Sequence, residues 1–134
     1  MDLIKALNAD LSLEYAAAIQ YLQHAACLVK EYTAFAGDLI KHAKDEIKHA
    51  RKLNDHITFL GGIPTVFVGS IFTASDNVTM LKQDLAGEKT AIERYVERIN
   101  QARGQGDPGT EAVLMSILKD EQHHATDLES ILDV

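Results

Sequence analysis

In each of four long runs of helically spaced apolar residues, one place on the apolar stripe is taken by a glutamate. The first run is Leu3, Leu7, Leu11, Ala18, Leu22 and Ala25, with Glu14 among them. The second is Leu39, Ala43, Ala50, Leu53 and Ile57, with Glu46. The third is Leu81, Leu85, Ile92, Tyr95 and Ile99, with Glu88, and the fourth is Leu114, Leu118, Ala125 and Leu128, with Glu121. Spacings of three and four mark amphipathic helices. A glutamate on the face a helix buries is costly unless it is paired or binds metal. One would mean little. Four at matching depth predict helices packed around a polar middle layer.

The punctuation sets the helix limits. The first helix is expected over about 2–30 and the second over about 34–60, stopped by Gly61-Gly62 and Pro64. Asp76 or Asn77 caps the third, which runs to about Arg103 before Gly104-Gln105-Gly106. Asp107 caps the fourth, Pro108 suits its first position, and it runs almost to Val134. Thr65-Val66-Phe67-Val68 has strand composition, but one strand has no partner here, so an extended crossing segment is expected. Helices of about 25 residues span roughly 38 Å. Two short connections force antiparallel pairs, and the longer one, about 15 residues, carries the chain between pairs. The expected fold is all-α: one domain over residues 1–134, a four-helix bundle of two antiparallel hairpins joined by a long crossover.

Charge and cysteine content narrow the function classes. The net charge of −7 lacks the basic footprint of nucleic-acid binding and suits attraction of metal cations. One cysteine, Cys27, makes no internal disulfide, so a reducing compartment fits. Residues 1–5 do not read as a signal peptide, and no stretch has the roughly 20 apolar residues of a membrane span. A cytoplasmic protein, acting on neither membrane nor nucleic acid, is expected.

Two of the glutamates share a motif. Asp45-Glu46-Ile47-Lys48-His49 and Asp120-Glu121-Gln122-His123-His124 both read D-E-x-x-H. Residues three apart share a helix face, so each Glu and His converge. Roughly 0.03 such pentads are expected by chance from this composition. Glu14 precedes Glu46 by 32 residues and Glu88 precedes Glu121 by 33, so the halves superpose with approximate two-fold symmetry. One Glu from each of two helices plus Glu-x-x-His from each of the other two is the known ligand pattern of di-iron and di-manganese carboxylate bundles. Glu14, Glu46, His49, Glu88, Glu121 and His124 are the candidate metal-ligating and catalytic residues. Carboxylates with imidazoles suit iron(II) or manganese(II), and four carboxylates balance two divalent ions. A ligating His usually donates its other N–H to a carboxylate, which assigns Asp120 to His49 and Asp45 to His124 across the pseudo-two-fold.

These residues resemble the ferritin-like superfamily, and within it the bacterioferritin family most closely, over nearly the whole chain. Glu14 through Ile19-Gln20-Tyr21-Leu22-Gln23-His24-Ala25 is similar to that family's E-x-x-A-I-x-Q-Y-x-x-H-A stretch, with one residue missing before Gln20. Asp45-Glu46-Ile47-Lys48-His49-Ala50 resembles D-E-M-K-H-A, Asp84-Leu85-Ala86-Gly87-Glu88 resembles D-L-A-x-E, and Lys119-Asp120-Glu121 with His124 resembles R-D-E-E-x-H. The resemblance implies that Glu46 and Glu121 bridge two metals, that Glu14 and Glu88 each cap one, and that His49 and His124 each supply a nitrogen. It implies a homo-oligomer, at least a dimer. The departures matter equally. The family's haem-ligating methionine is Ile47 here, which cannot ligate iron, so haem is not expected. The sequence stops 13 residues after Glu121, where bacterioferritins continue into a short fifth helix, so a closed cage does not follow. Rubrerythrins carry a further glutamate where this chain has Ala91.

Other polar residues are read more plainly. Glu93 and Glu97 fall on other faces of their helix and are expected in solvent. Tyr21 and Tyr95, each seven residues after a candidate glutamate, are core residues first, and the resemblance places them near the site. His24, His42 and His56 are expected at the surface or rim, His123 points away from His124, and Lys41, Lys44, Lys48, Arg51 and Lys52 form a solvated face. The expected function is a ferroxidase that binds two iron ions and oxidises Fe(II) to Fe(III) with O2 or H2O2 for storage or detoxification. A rubrerythrin-like peroxidase, a manganese-catalase-type enzyme and a non-enzymatic metal-binding assembly subunit are the alternatives.

Overall fold

The computed structural model describes residues 2–134. Four helices follow in order: α1 (Leu3–Cys27), α2 (Ala36–Phe59), α3 (Asn77–Gly104) and α4 (Pro108–Leu132), with a 3-10 turn over Lys30–Phe35 between the first two. The first helix thus ends three residues short of expectation, and the 3-10 turn runs directly into α2. Three of the four starts are capped by aspartate. Asp2 accepts from the Ile4 N–H, Asp76 from Thr79 and Asp107 from Thr110, and Pro108 sits in the first turn of α4. Gly61 ends α2 at φ +89°, a conformation that favours glycine. At Gly62 a Cβ would lie 2.5 Å from an Ile4 methyl, so the chain turns hard against α1 there.

α1 packs chiefly on α2 and α3 on α4, with α1 against α3 and α2 against α4 closing the bundle. The 61–76 connection contains no strand and runs the length of α1, stitched to it by side chains. Asn8 bonds the Ile63 carbonyl and the Thr65 N–H, Tyr15 donates to the Thr65 carbonyl, and Gln20 accepts from the Phe72 N–H. The extended crossover read from the sequence is therefore correct.

Two apolar clusters fill the bundle, one on each side of the middle. One contains Leu7, Leu11, Leu53, Ile57, Tyr95 and Ile117; the other contains Tyr21, Leu39, Met80, Leu81, Leu85 and Leu128. One stripe position was misread. Leu22 is 50% exposed, and its neighbour Tyr21, at 2%, takes the inward place. By Glu14 the first helix has turned far enough for positions 14 and 21, two turns apart, to share the buried face.

Candidate metal centre

Between the two clusters lie six buried polar side chains: Glu14, Glu46, His49, Glu88, Glu121 and His124. All six expected site residues are brought together. Glu14 comes from α1, Glu46 and His49 from one face of α2, Glu88 from α3, and Glu121 and His124 from one face of α4. They form two groups of four, each with its candidate ligand atoms within 4.8 Å of one another: Glu14, Glu46, His49 and Glu121, and Glu46, Glu88, Glu121 and His124. Glu46 and Glu121 belong to both.

The two imidazoles are held alike. His49 Nε2 lies 2.8 Å from Asp120 Oδ2 and His124 Nε2 lies 2.9 Å from Asp45 Oδ2, the crossed pairing expected from the sequence. Each Nδ1 is thereby turned inward. His49 Nδ1 sits 3.1 Å from Glu46 Oε1 and 3.4 Å from Glu14 Oε2; His124 Nδ1 sits 3.1 Å from Glu88 Oε2 and 3.3 Å from Glu121 Oε1.

Four carboxylates in one dry layer repel one another and lose hydration. Burial, followed by the Glu121 charge, lifts Glu88 to about 8 and raises Glu14. Burial with Glu14 and Glu121 nearby pushes Glu46 well above the carboxylate range. Burial also opposes ionisation of Glu121, yet His124 and the Glu46 carboxyl beside it hold it below its ordinary value. Burial alone would lower both imidazoles. Glu14 outweighs that at His49 and lifts it to about 9; Glu121 and Glu88 lift His124 to about 11. Protons, in short, supply the positive charge the layer needs.

Protons fit this layer poorly and cations fit it well. Glu14 Oε2, Glu46 Oε1, Glu121 Oε1 and His49 Nδ1 are buried with no hydrogen-bond partner. Orphaned polar atoms are rare in folded proteins because each forfeits its hydration. Here four of them face the same interior, where oxygen and imidazole donors suit iron(II) or manganese(II). Two divalent ions would satisfy them and neutralise the four carboxylates.

Several side chains lie elsewhere than expected. His24 and His42 are buried rather than at the rim. His42 stacks on His124, ring centroids 4.2 Å apart, and its Nε2 faces Asp127. His24 places Nδ1 2.9 Å from Asp84 Oδ2 and Nε2 2.9 Å from the Phe72 carbonyl oxygen. The physical reason is the same: each lies on the inward face and has an acceptor waiting. His56 is at the rim, bonded to Thr110, and His123, Glu93, Glu97 and the lysine-rich face are exposed as expected. Tyr95 donates to Glu14 Oε1 at 2.6 Å, whereas the Tyr21 hydroxyl has no partner.

Two buried aspartates were missed. Asp10 is gripped by Arg94 and Arg98, and Asp84 by Gln20 and His24. A signal was present: each aspartate precedes a candidate glutamate by four residues, on the same buried face.

Comparison with known proteins is consistent with this centre. The family model described as "Ferritin-like domain" matches residues 4–134. A bacterioferritin of Streptomyces coelicolor is 33% identical over 99% of this chain and 81% of its own length. A bacterial non-heme ferritin of Staphylococcus epidermidis is 30% identical over 98% and 81%. A solved structure from Bacillus anthracis, described as ferritin like, diiron-carboxylate proteins, superposes with a TM-score of 0.93 at 32% identity, covering 97% of this chain and 94% of that one. Among the described residues, no helix is long and apolar enough to cross a membrane.

Proposed function

The chain belongs to the ferritin-like domain family, and on that premise we propose that it is a ferroxidase: it binds two Fe(II) ions in the bundle core and oxidises them to Fe(III). The supporting observation is the pair of four-residue groups that share Glu46 and Glu121, with orphaned donor atoms in both chemistries, carboxylate and imidazole. In this reading Glu46 and Glu121 would be shared by the two ions, Glu14 and His49 would hold one of them, and Glu88 and His124 would hold the other. The whole of residues 1–134 then serves as a single di-metal domain.

Two bound Fe(II) ions supply one electron each, which with two protons reduce O2 to H2O2, or H2O2 to two waters. The chain's own residues do the rest. The four carboxylates stabilise the charge that rises at the centre. Asp45 and Asp120 fix the ring orientation of His124 and His49, so that each Nδ1 stays aimed inward. Tyr95 holds Glu14 by its hydroxyl. Burial and mutual repulsion favour protons on Glu46 and Glu88, and the carboxylates favour them on the imidazoles, so cations entering this layer should displace protons and binding should release acid. Ile47, exposed on α2, offers no ligating atom, which supports a haem-free protein. Manganese suits the same ligands, and assembly into at least a dimer is part of the proposal.

Stopped-flow absorbance after two equivalents of Fe(II) are added in air tests this reading. The expected result is a fast ferric signal that saturates near two ions per chain and disappears in Glu46→Ala. Equal, slow signals in both proteins would defeat it and leave a structural or manganese site.

A further inference from the structure

A cavity of about 370 Å³ opens between α1 and α3 and reaches the centre: Glu14, Glu46, Glu88 and Glu121 all line it. Its other buried walls combine Ala16, Ala91 and Tyr21 with the polar Gln20 and Asp84, and Leu13 and Ala17 are half-buried. Its exposed lining residues, Ser70, Phe72, Ala86, Gly87 and Thr90, mark the mouth. Phe72 is fixed in place there. Its N–H donates to Gln20 Oε1, its carbonyl faces His24 Nε2, and both Gln20 and His24 are anchored on Asp84.

The charges along this passage decide what can use it. Above the glutamates, the one acidic lining residue is Asp84, whose two oxygens are engaged by His24 and Gln20. The one cationic lining residue is Arg94. A hydrated divalent cation would have to shed water against alanine and leucine, past an Asp84 already engaged and an Arg94 already paired with Asp10, which is unfavourable. A small uncharged molecule does not meet that obstacle. The hollow on the opposite face, between α2 and α4, is polar instead, with Asp38, Asp45, Asp120 and Asp127 on its wall beside Lys41 and three histidines.

We propose that the α1/α3 cavity is the chamber through which the uncharged oxidant, O2 or H2O2, reaches the centre, and that it is not the path of the metal ion. The inference rests on the ferroxidase reading for its chemistry, but the chamber itself can be tested without turnover.

Gly87→Phe is the variant of choice. A Cβ at Gly87 meets nothing within 4 Å, so a ring can be added at the mouth without a clash, and replacing a glycine inside α3 favours the helix. Gly37→Phe, at an equally open position in the first turn of α2, controls for added surface ring. Three readouts are compared in wild type and both variants. Xenon under pressure, an uncharged probe that occupies apolar cavities, should bind between α1 and α3 in wild type and Gly37→Phe but not in Gly87→Phe. Anaerobic binding of Co(II), followed by its visible absorption, should keep its rate and stoichiometry in all three. Oxidation of preloaded Fe(II) by O2, and separately by H2O2, should slow at least roughly tenfold in Gly87→Phe alone, since a packed ring leaves no void wider than a water molecule. Slowing with one oxidant only assigns the chamber to that one. Unchanged oxidation with both, or cobalt binding slowed in parallel, overturns the proposal. Should wild type bind cobalt yet fail to oxidise iron, the ferroxidase reading falls, and absence of xenon from the wild-type cavity would then overturn the chamber as well.

Discussion

Asp10 and Asp84 occupy equivalent places in the two halves of the bundle, each four residues before a glutamate of the centre and each buried. Their partners are equivalent too: Arg94 and Arg98 follow Glu88 by 6 and 10 residues, as Gln20 and His24 follow Glu14. The chemistry differs. Two guanidiniums close on Asp10 and leave its pairing complete within the helices. Gln20 and His24 each spend one group on Asp84 and one on the Phe72 backbone. The crossover passes only one side of the bundle, so only one of the two aspartates needs partners with a group to spare. A symmetric frame was fitted to an asymmetric chain path by changing two residues.

The same asymmetry runs through the centre. Tyr95 bonds Glu14, but its counterpart Tyr21 bonds nothing; His42 stacks on His124, but its counterpart, four residues before Glu121, is Ile117. The largest expected effect that probes this is the response of the metal-free protein to pH. Glu88, raised to about 8, keeps in the folded state a proton the unfolded chain loses near 4.5. His49 and His124, raised to about 9 and about 11 from 6.5, contribute stability that is complete below pH 6.5 and lost as pH rises through those values. All three act with one sign, so urea midpoints of the metal-free protein should fall steadily from neutral to alkaline pH. Imidazole NMR should show His49 losing its proton before His124. Metal should flatten the slope, because it replaces those protons; a pH-independent midpoint without metal would contradict this account.

Next in size are the aspartates. Asp10→Ala leaves two guanidiniums without their buried partner and should cost about 3–5 kcal/mol in denaturant unfolding. Asp84→Ala should cost less, since Gln20 and His24 each keep a contact with the Phe72 backbone. It alone should raise amide exchange around Phe72, which Asp10→Ala should leave untouched. Equal exchange in the two variants would break the comparison.

The smallest effect separates the tyrosines. Tyr95→Phe removes a hydrogen bond to Glu14 and should cost roughly 1.5–3 kcal/mol. Tyr21→Phe removes a hydroxyl without a partner and should be neutral or stabilising. A comparable loss in both would mean that Tyr21 finds a partner in solution.

Much of this was legible in the chain itself. Apolar periodicity with Asp, Pro and Gly at the ends gave four helices, because helix faces and caps are local physics. The doubled D-E-x-x-H and the matched spacings of Glu14 and Glu88 located the six-residue layer, because residues three apart must share a face. Even the crossed pairing of Asp45 and Asp120 followed from the repeat. What the sequence could not decide was rotation and contact. Tyr21 was legible as core from its spacing to Glu14, but Leu22 fits the same periodicity, and only packing left Leu22 outside while Tyr21 met His42 and His124 edge-on. Histidine is at home in water or in a core, so the burial of His24 and His42 depended on Asp84, Phe72 and His124 arriving from elsewhere in the chain. The cavity between α1 and α3 and the side chosen by the crossover belong to the same class. Helices, caps and ligand spacing are fixed by near neighbours in sequence, whereas the shape of the space between helices exists only once distant segments have packed.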